Sequence, residues 1–300
     1  MAYADIATSH LKTESGISIS TNEEPCLETH LHKHPTDKTH SINAIEVRNL
    51  SFAYSKAIIL NNINFTVKKG VICGFLGPNG SGKTTLLRCI NGLRDPMNGQ
   101  VIIQGTSINS MTRREIASKI SVVPQQSNIV FPFKSIELVI MGKCAELDYW
   151  ESPEKSDYIE AEILMKSLGI GHLAYRRITE ISGGERQLVL IARAIFQGAD
   201  IMLLDEPTAH LDYKNQFAVL RMVTKVAKEK HLTVIITLHN PNLAFHYCSE
   251  ILLLKKGKIV SVGKSEDVFK EHTLSSLYDM EVSIADISKR GCQIVLPSDW

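Results

Sequence analysis

The chain has 300 residues, 44% of them apolar and 22% charged, a length that calls for one large domain carrying an insertion or for two domains. Its 33 basic and 32 acidic residues leave a net charge of +1, so no global field draws it onto nucleic acid or anionic lipid, and no apolar run reaches the roughly 20 residues of a membrane-spanning helix. Six cysteines (Cys26, Cys73, Cys89, Cys144, Cys248, Cys292) form no C-x-x-C pair and fit reduced thiols, and the start M-A-Y-A-D-I lacks the basic stretch and apolar run of a secretory signal.

Residues 1–43 are rich in Thr, Ser, His, Glu and Lys without apolar periodicity, so burial there cannot offset the entropy of ordering and the segment reads as a disordered arm. Its His30, His32, His34 and His40 read as part of a polar tail rather than as a metal site. From Ile45 short apolar runs begin: I-E-V, then I-N-F-T-V at 63–67 and V-I-C-G-F-L at 71–76, each read as a strand. A Gly-rich loop and the helical T-T-L-L-R-C-I follow, stopped by Asn91-Gly92. Between Gln125 and Gln187 the strand signals fade. There S-D-Y-I-E-A-E-I-L-M-K-S-L-G predicts a helix with Ile159, Ile163, Leu164 and Leu168 on one apolar face and Gly169 at its end. The continuous apolar runs I-M-L-L at 201–204 and V-I-I-T at 234–237 read as strands buried on both faces of a parallel sheet, which makes the core α/β. Last, I-L-L-L-K-K-G-K-I-V-S-V-G alternates about a Lys-Gly turn and reads as a hairpin.

Two of these junctions carry chemistry. The loop G-P-N-G-S-G-K-T-T, from Gly77 through Pro78, Asn79, Gly80, Ser81 and Gly82 to Lys83, Thr84 and Thr85, sits between a strand and a helix, the order a phosphate site requires. Its glycines let successive N–H groups turn toward phosphate oxygens and the helix adds its positive end. Lys83 reaches the β- and γ-phosphates of a nucleotide, and the Thr84 hydroxyl is a magnesium ligand. Such a loop serves kinases, GTPases and motors alike. The second junction, I-M-L-L-D-E-P, brings Asp205 to the magnesium shell at the end of a buried strand and sets Glu206 beside it to orient or deprotonate a water.

Between them lies I-S-G-G-E-R-Q at 181–187, where Ser182, Gly183 and Gly184 precede a helical stretch and offer a second anion-seeking N-terminus that the chain's own phosphate loop does not need. Here the sequence resembles the ATP-binding-cassette family, whose hallmark is a Ser-Gly-Gly signature between two nucleotide motifs; a kinase or GTPase lacks it. Glu185 stands where the signature usually has Gln, a departure that weakens one polar contact and leaves the hydroxyl and glycine amides intact. The resemblance implies a phosphate-loop NTPase with a RecA-like parallel-sheet core, an N-terminal antiparallel β subdomain and an inserted helical subdomain. On that pattern residues 44–275 form the ATPase domain, with the helical insert at about 125–187, and residues 276–300 a short C-terminal β segment. It also implies roles for single residues: Tyr54 stacks on adenine, Gln125 touches magnesium and water (its neighbour Gln126 does not), Asp212 communicates across a dimer, and His239 contacts the γ-phosphate.

By the same resemblance, the cofactors are ATP and Mg2+, each ATP being enclosed between the phosphate loop of one copy and Ser182-Gly183-Gly184 of another. The expected partners are a second copy, separate integral-membrane permease subunits and, indirectly, a substrate-binding protein, with no nucleic acid. The subunit is expected in the cytoplasm, peripheral on the inner face of the membrane, with Phe131-Pro132-Phe133 as the contact for the permease. The runs E-P-T-A-H-L-D and T-L-H-N-P-N-L-A and the C-terminal segment resemble importers of iron chelates, haem and cobalamin; molybdate, zinc and manganese importers are the alternative. Soluble cassette proteins acting on ribosomes or DNA are a further one, opposed by the single cassette and the absence of a sustained heptad run.

Overall fold

The computed structural model describes residues 43–125, 129–145, 151–287 and 292–299. The polar arm with its histidines, and Gln126, lie outside these residues. Two twelve-residue strands, β1 (Asn43–Tyr54) and β2 (Ala57–Lys68), pair antiparallel about Ser55-Lys56. In β2, Ile63, Phe65 and Val67 are buried while Asn64, Thr66 and Lys68 are exposed, the two-residue period of a sheet with one wet face. Then come β3 (Ile72–Leu76) and helix α1 (Lys83–Ile90). The short strands β4 (Asn98–Ile103) and β5 (Thr106–Ser107) return to the first sheet, giving the antiparallel order β2-β1-β4-β5. Helix α2 (Arg113–Lys119), opened by a Thr112–Glu115 capping box, leads to β6 (Ile120–Val123).

Helices α3 (Ser135–Ile140), α4 (Lys155–Ser167) and α5 (Gly183–Phe196) fill the span before β7 (Ile201–Leu204). The chain continues through α6 (Tyr213–Lys230), β8 (Thr233–Leu238), α7 (Pro241–Tyr247), β9 (Glu250–Lys255) and β10 (Lys258–Lys264). Two short helices, α8 (Ser265–Val268) and α9 (Glu271–Tyr278), precede a hairpin of β11 (Val282–Ile287) and β12 (Cys292–Pro297). Helix α5 runs through residue 187 and α9 through residue 276, so both positions fall inside helices. The C-terminal hairpin is tied to α7 by the Asn242 amide, which donates to the Val295 carbonyl at 3.2 Å and accepts from its N–H at 2.7 Å.

The second sheet has the order β10-β9-β3-β8-β7-β6, parallel from β9 to β6, with β10 antiparallel at its edge. Its inner strands β7 and β8 are buried along their whole length because each face meets a different core. Ile201, Leu203 and Ile235 join Phe75, α1 and the antiparallel sheet, whereas Met202, Leu204, Val234 and Ile236 join α5 and α6. The Lys256-Gly257 turn joins β9 to β10 with both residues at positive φ, as a two-residue hairpin needs.

One predicted face is wrong. In α4 the residues turned inward are Asp157, Ala161 and Met165, with Leu164 and Leu168 partly buried, while Ile159 and Ile163 are exposed. The inward stripe is Ala161, Leu164, Met165 and Leu168, spaced i, i+3, i+4 and i+7, and at the helix start Asp157 accepts from Lys143 Nζ at 2.9 Å and from the Glu154 N–H at 2.8 Å.

Candidate active site

With β3, β8, β7 and β6 adjacent and parallel, their C-terminal ends bring the loop after β3, Asp205 and Glu206 after β7, His239 after β8 and Gln125 after β6 to one edge of the sheet. The loop is held from below. A Cβ on Gly77 would lie 2.0 Å from the Leu254 carbonyl oxygen, so only glycine allows β9 to approach so closely. The Ser81 carbonyl accepts from the Gly257 N–H at 3.0 Å, which ties the loop to the β9–β10 turn. No side chain caps α1, which begins at Gly82 in the left-handed conformation, and its first turn has no acidic residue. Its end amides are left for an anion.

Lys83 is buried, and its Nζ donates to the carbonyls of Gly77 (2.8 Å) and Pro78 (3.2 Å). Burial pushes its pKa below the ordinary lysine range, against the opposing charges of Glu206 and Asp205. Among the described residues no carboxylate forms an ion pair with it, and the nearby Ser81 hydroxyl is buried without a hydrogen-bond partner. A buried cation and an orphaned hydroxyl in one Gly-rich loop make a cradle for phosphate. The cleft above it is lined by Tyr54, Ile59, residues 79–85 and Glu206.

Asp205 Oδ1 accepts from the hydroxyls of Thr84 and Thr237, each at 3.0 Å. Burial raises the Asp205 pKa; these two hydrogen bonds oppose the shift and the neighbouring charge of Glu206 adds to it. The Thr84 hydroxyl and the Asp205 carboxylate are two hard oxygen donors side by side next to the phosphate cradle. That donor set suits Mg2+, which keeps several waters and takes other ligands from phosphate oxygens. Glu206 is the hub of the site: Gln125 Nε2 donates to its Oε2 at 2.5 Å and His239 Nε2 lies 2.6 Å from its Oε1. Five of the predicted residues, Thr84, Asp205, Gln125, Glu206 and His239, thus bond one to another around the place where a terminal phosphate and a water would meet.

Tyr54 ends β1 at the mouth of the cleft, 39% exposed, with Phe52 edge-on at 4.8 Å and the Arg94 guanidinium 5.7 Å from its ring centroid. Burial by itself would raise its phenol, but hydrogen bonds with Arg88, Thr85 and Arg94 bring it below the usual tyrosine range. These groups gather about the hydroxyl, and Tyr54 lines the cleft. Ser182, Gly183, Gly184, Glu185 and Asp212 do not line this cleft. Ser182 instead caps α5: its hydroxyl accepts from the Glu185 N–H at 3.2 Å, and Glu185 Oε2 accepts from the Ser182 N–H at 2.9 Å and from its hydroxyl at 2.8 Å. Those bonds hold the Glu185 carboxyl below its ordinary pKa. Glu185 thus completes a capping box, and the Ser182 hydroxyl that was expected to stay intact for an anion is instead engaged by its carboxylate. Gly184 packs on the Asn215 side chain, and Asp212 caps α6 by accepting from the Asn215 N–H at 2.8 Å.

Sequence reasoning missed Thr237, Arg88, Arg94 and Gly257. The one signal for Thr237 is a hydroxyl inside an apolar run two places before His239; Arg88 and Arg94 carry none, because they reach Tyr54 across chain-distant elements. Gly257 has φ 72°, and a Cβ there would lie 2.1 Å from the Ile59 carbonyl oxygen. Gly257→Ala is expected to cost more than about 1 kcal/mol of stability and to weaken ATP binding through the loop it braces, as denaturant unfolding and nucleotide titration would report.

The chain is similar to known proteins along most of its described length. Residues 60–209 match the family model described as ABC transporter. An ATP-binding protein of Helicobacter pylori, named as a probable iron-chelatin transport component, is 36% identical over 236 residues, covering 78% of this chain and 92% of its own. Among solved structures, an inward-facing transporter assigned to the metal-chelate type matches 85% of this chain and 97% of its own, at a TM-score of 0.76 and 31% identity. A dimeric ATP-binding cassette bound to ADP and phosphate matches 74% and 98%, at a TM-score of 0.66 and 27% identity. The expected phosphate-loop NTPase architecture, with its antiparallel β subdomain, is that of these relatives.

Proposed function

Because the chain belongs to the ABC transporter family, as one of its ATP-hydrolysing subunits, we propose that two copies of it drive a membrane permease that imports an iron chelate, haem or cobalamin. The observation that carries this reading is an incomplete site. The phosphate loop and Glu206 line one cleft, with Asp205 and His239 bonded to its residues, while the helix end at Ser182 lies outside it, where another copy's ATP would displace the Glu185 carboxylate from the Ser182 hydroxyl. The relative named for iron-chelatin transport and the metal-chelate-type structure support the cargo class.

In this reading the loop amides and Lys83 receive the phosphates, and Tyr54 supports the adenine. Thr84, Asp205 and Gln125 would hold Mg2+, which would supply positive charge against that of the phosphates. Glu206 orients the attacking water and accepts its proton, held between Gln125 and His239. His239 turns to the γ-phosphate, and Asp212 links the two sites. Because each ATP bridges both subunits, it favours the closed dimer over the open one, which a ligand-driven change requires. Among the described residues no helix is long and apolar enough to cross a membrane, so the pore belongs to the permease. The subunit works on the cytoplasmic face, and a substrate-binding protein delivers cargo from outside.

Phe131 is 70% exposed, next to exposed Val130, with its ring 5.9 Å from that of Phe133. Such an apolar pair on a surface loop fits the permease contact. Phe131→Asp with Phe133→Asp is expected to abolish uptake and co-purification with the membrane subunits while ATP binding stays unchanged; normal uptake would refute the contact. Uptake of labelled ferric siderophore, haem and cobalamin by cells with and without the gene tests the cargo. Loss of molybdate, zinc or manganese uptake instead would reassign it.

A further inference from the structure

We propose that Thr237 is a positioning residue for hydrolysis, whose single hydroxyl holds the Asp205 carboxylate and the Glu206 backbone in register with each other. The inference rests on the roles proposed above for those two acids and adds a residue that acts through them. Thr237 is fully buried in β8, one place beyond the Leu204–Ile236 pairing with β7. Its Oγ1 accepts from the Glu206 N–H at 2.6 Å and donates to Asp205 Oδ1 at 3.0 Å. A hydroxyl has one proton, and with the amide claiming a lone pair that proton is directed at the carboxylate.

Glu206 needs this support. It sits at φ 49°, the left-handed region that residues with a side chain rarely adopt. That conformation turns its carboxyl toward Gln125 and His239 rather than along the strand. The backbone is fixed on either side by the Asp205 N–H to the Val123 carbonyl (2.9 Å) and the Ala209 N–H to the Glu206 carbonyl (3.0 Å), and at the strained residue by Thr237. Other buried hydroxyls of this sheet have different duties: Ser121 donates to the Ile201 carbonyl and Thr233 accepts from the Gly70 N–H. An apolar strand interior favours Val at this position, so a hydroxyl there is retained only where its bonds are made. Both go to the acids of the site.

The test compares Thr237→Val, which keeps the shape and removes the hydroxyl, with Thr237→Ser, which keeps the hydroxyl, and uses Glu206→Gln as reference. In the full chain, Thr237→Val is expected to lower kcat by about 10- to 100-fold with KM for ATP changed less than about threefold, and Thr237→Ser to recover most of the rate. The gain in ATP affinity on adding Mg2+, measured by equilibrium titration, should shrink in Thr237→Val and persist in Thr237→Ser. Thermal unfolding of each variant separates this from a loss of folded protein; should Thr237→Val not fold, Thr237→Cys carries the same comparison. A parental kcat in Thr237→Val beside an inactive Glu206→Gln overturns the inference and leaves the site reading intact. Equal losses in the Val and Ser variants, or a loss that only tracks the folded fraction, overturn it as well. Parental turnover by Glu206→Gln would remove the roles on which it stands and overturn both.

Discussion

Glu206→Gln is expected to bind ATP as the parent does, to lower turnover by about 10²–10⁴-fold, and to accumulate as an ATP-bound dimer. The substitution keeps the size of the side chain, so the hydrogen bonds around Asp205 and Thr84 that prepare the magnesium shell survive. What it removes is a carboxylate that receives Gln125 on one oxygen and His239 on the other. An amide in its place presents one acceptor instead of two and cannot take a proton from water. Binding energy still closes the dimer, but the step that reopens it is lost. Gel filtration with ATP and a phosphate-release assay check the two halves of the expectation. A variant that hydrolysed at the parental rate would require a different base.

Ser182→Arg is expected to stop hydrolysis, by about 10²-fold or more, while leaving ATP bound at the chain's own phosphate loop. The distinction follows from geometry: Ser182 is absent from the cleft lined by residues 79–85 and Glu206, so its loss cannot act on that cleft from within one chain. In the proposed dimer it acts on another copy's nucleotide. The guanidinium would also remove the hydroxyl that closes the capping box with Glu185 and fill the end of α5, where an anion should dock. Mixing Ser182→Arg with Lys83→Ala, each inactive alone, should restore measurable turnover, because the heterodimer contains one undamaged pair of half-sites. A strict monomer that hydrolysed ATP at full rate despite Ser182→Arg would remove the shared site from the mechanism.

Much of this site is local in sequence. The residues 77–85, the pair Asp205-Glu206 and the helix start at Ser182-Gly183-Gly184 are contiguous runs whose chemistry depends on neighbours one to four places away, and the strand runs before them state that both sheet faces are buried. These were readable without coordinates, as were the α/β class and the Lys-Gly hairpin. The tertiary structure decided what depends on strand order and helix rotation. Strand β8 lies between β3 and β7, which puts Thr237 against two acids more than 30 positions away. Arg94 comes from beyond α1 to the Tyr54 ring, and Lys143 pairs with Asp157 of α4, whose Ile159 and Ile163 face outward. The physical reason is range: backbone propensity, turn chemistry and periodicity act over a few residues, whereas a buried hydroxyl or an ion pair is set by which elements the whole core brings together.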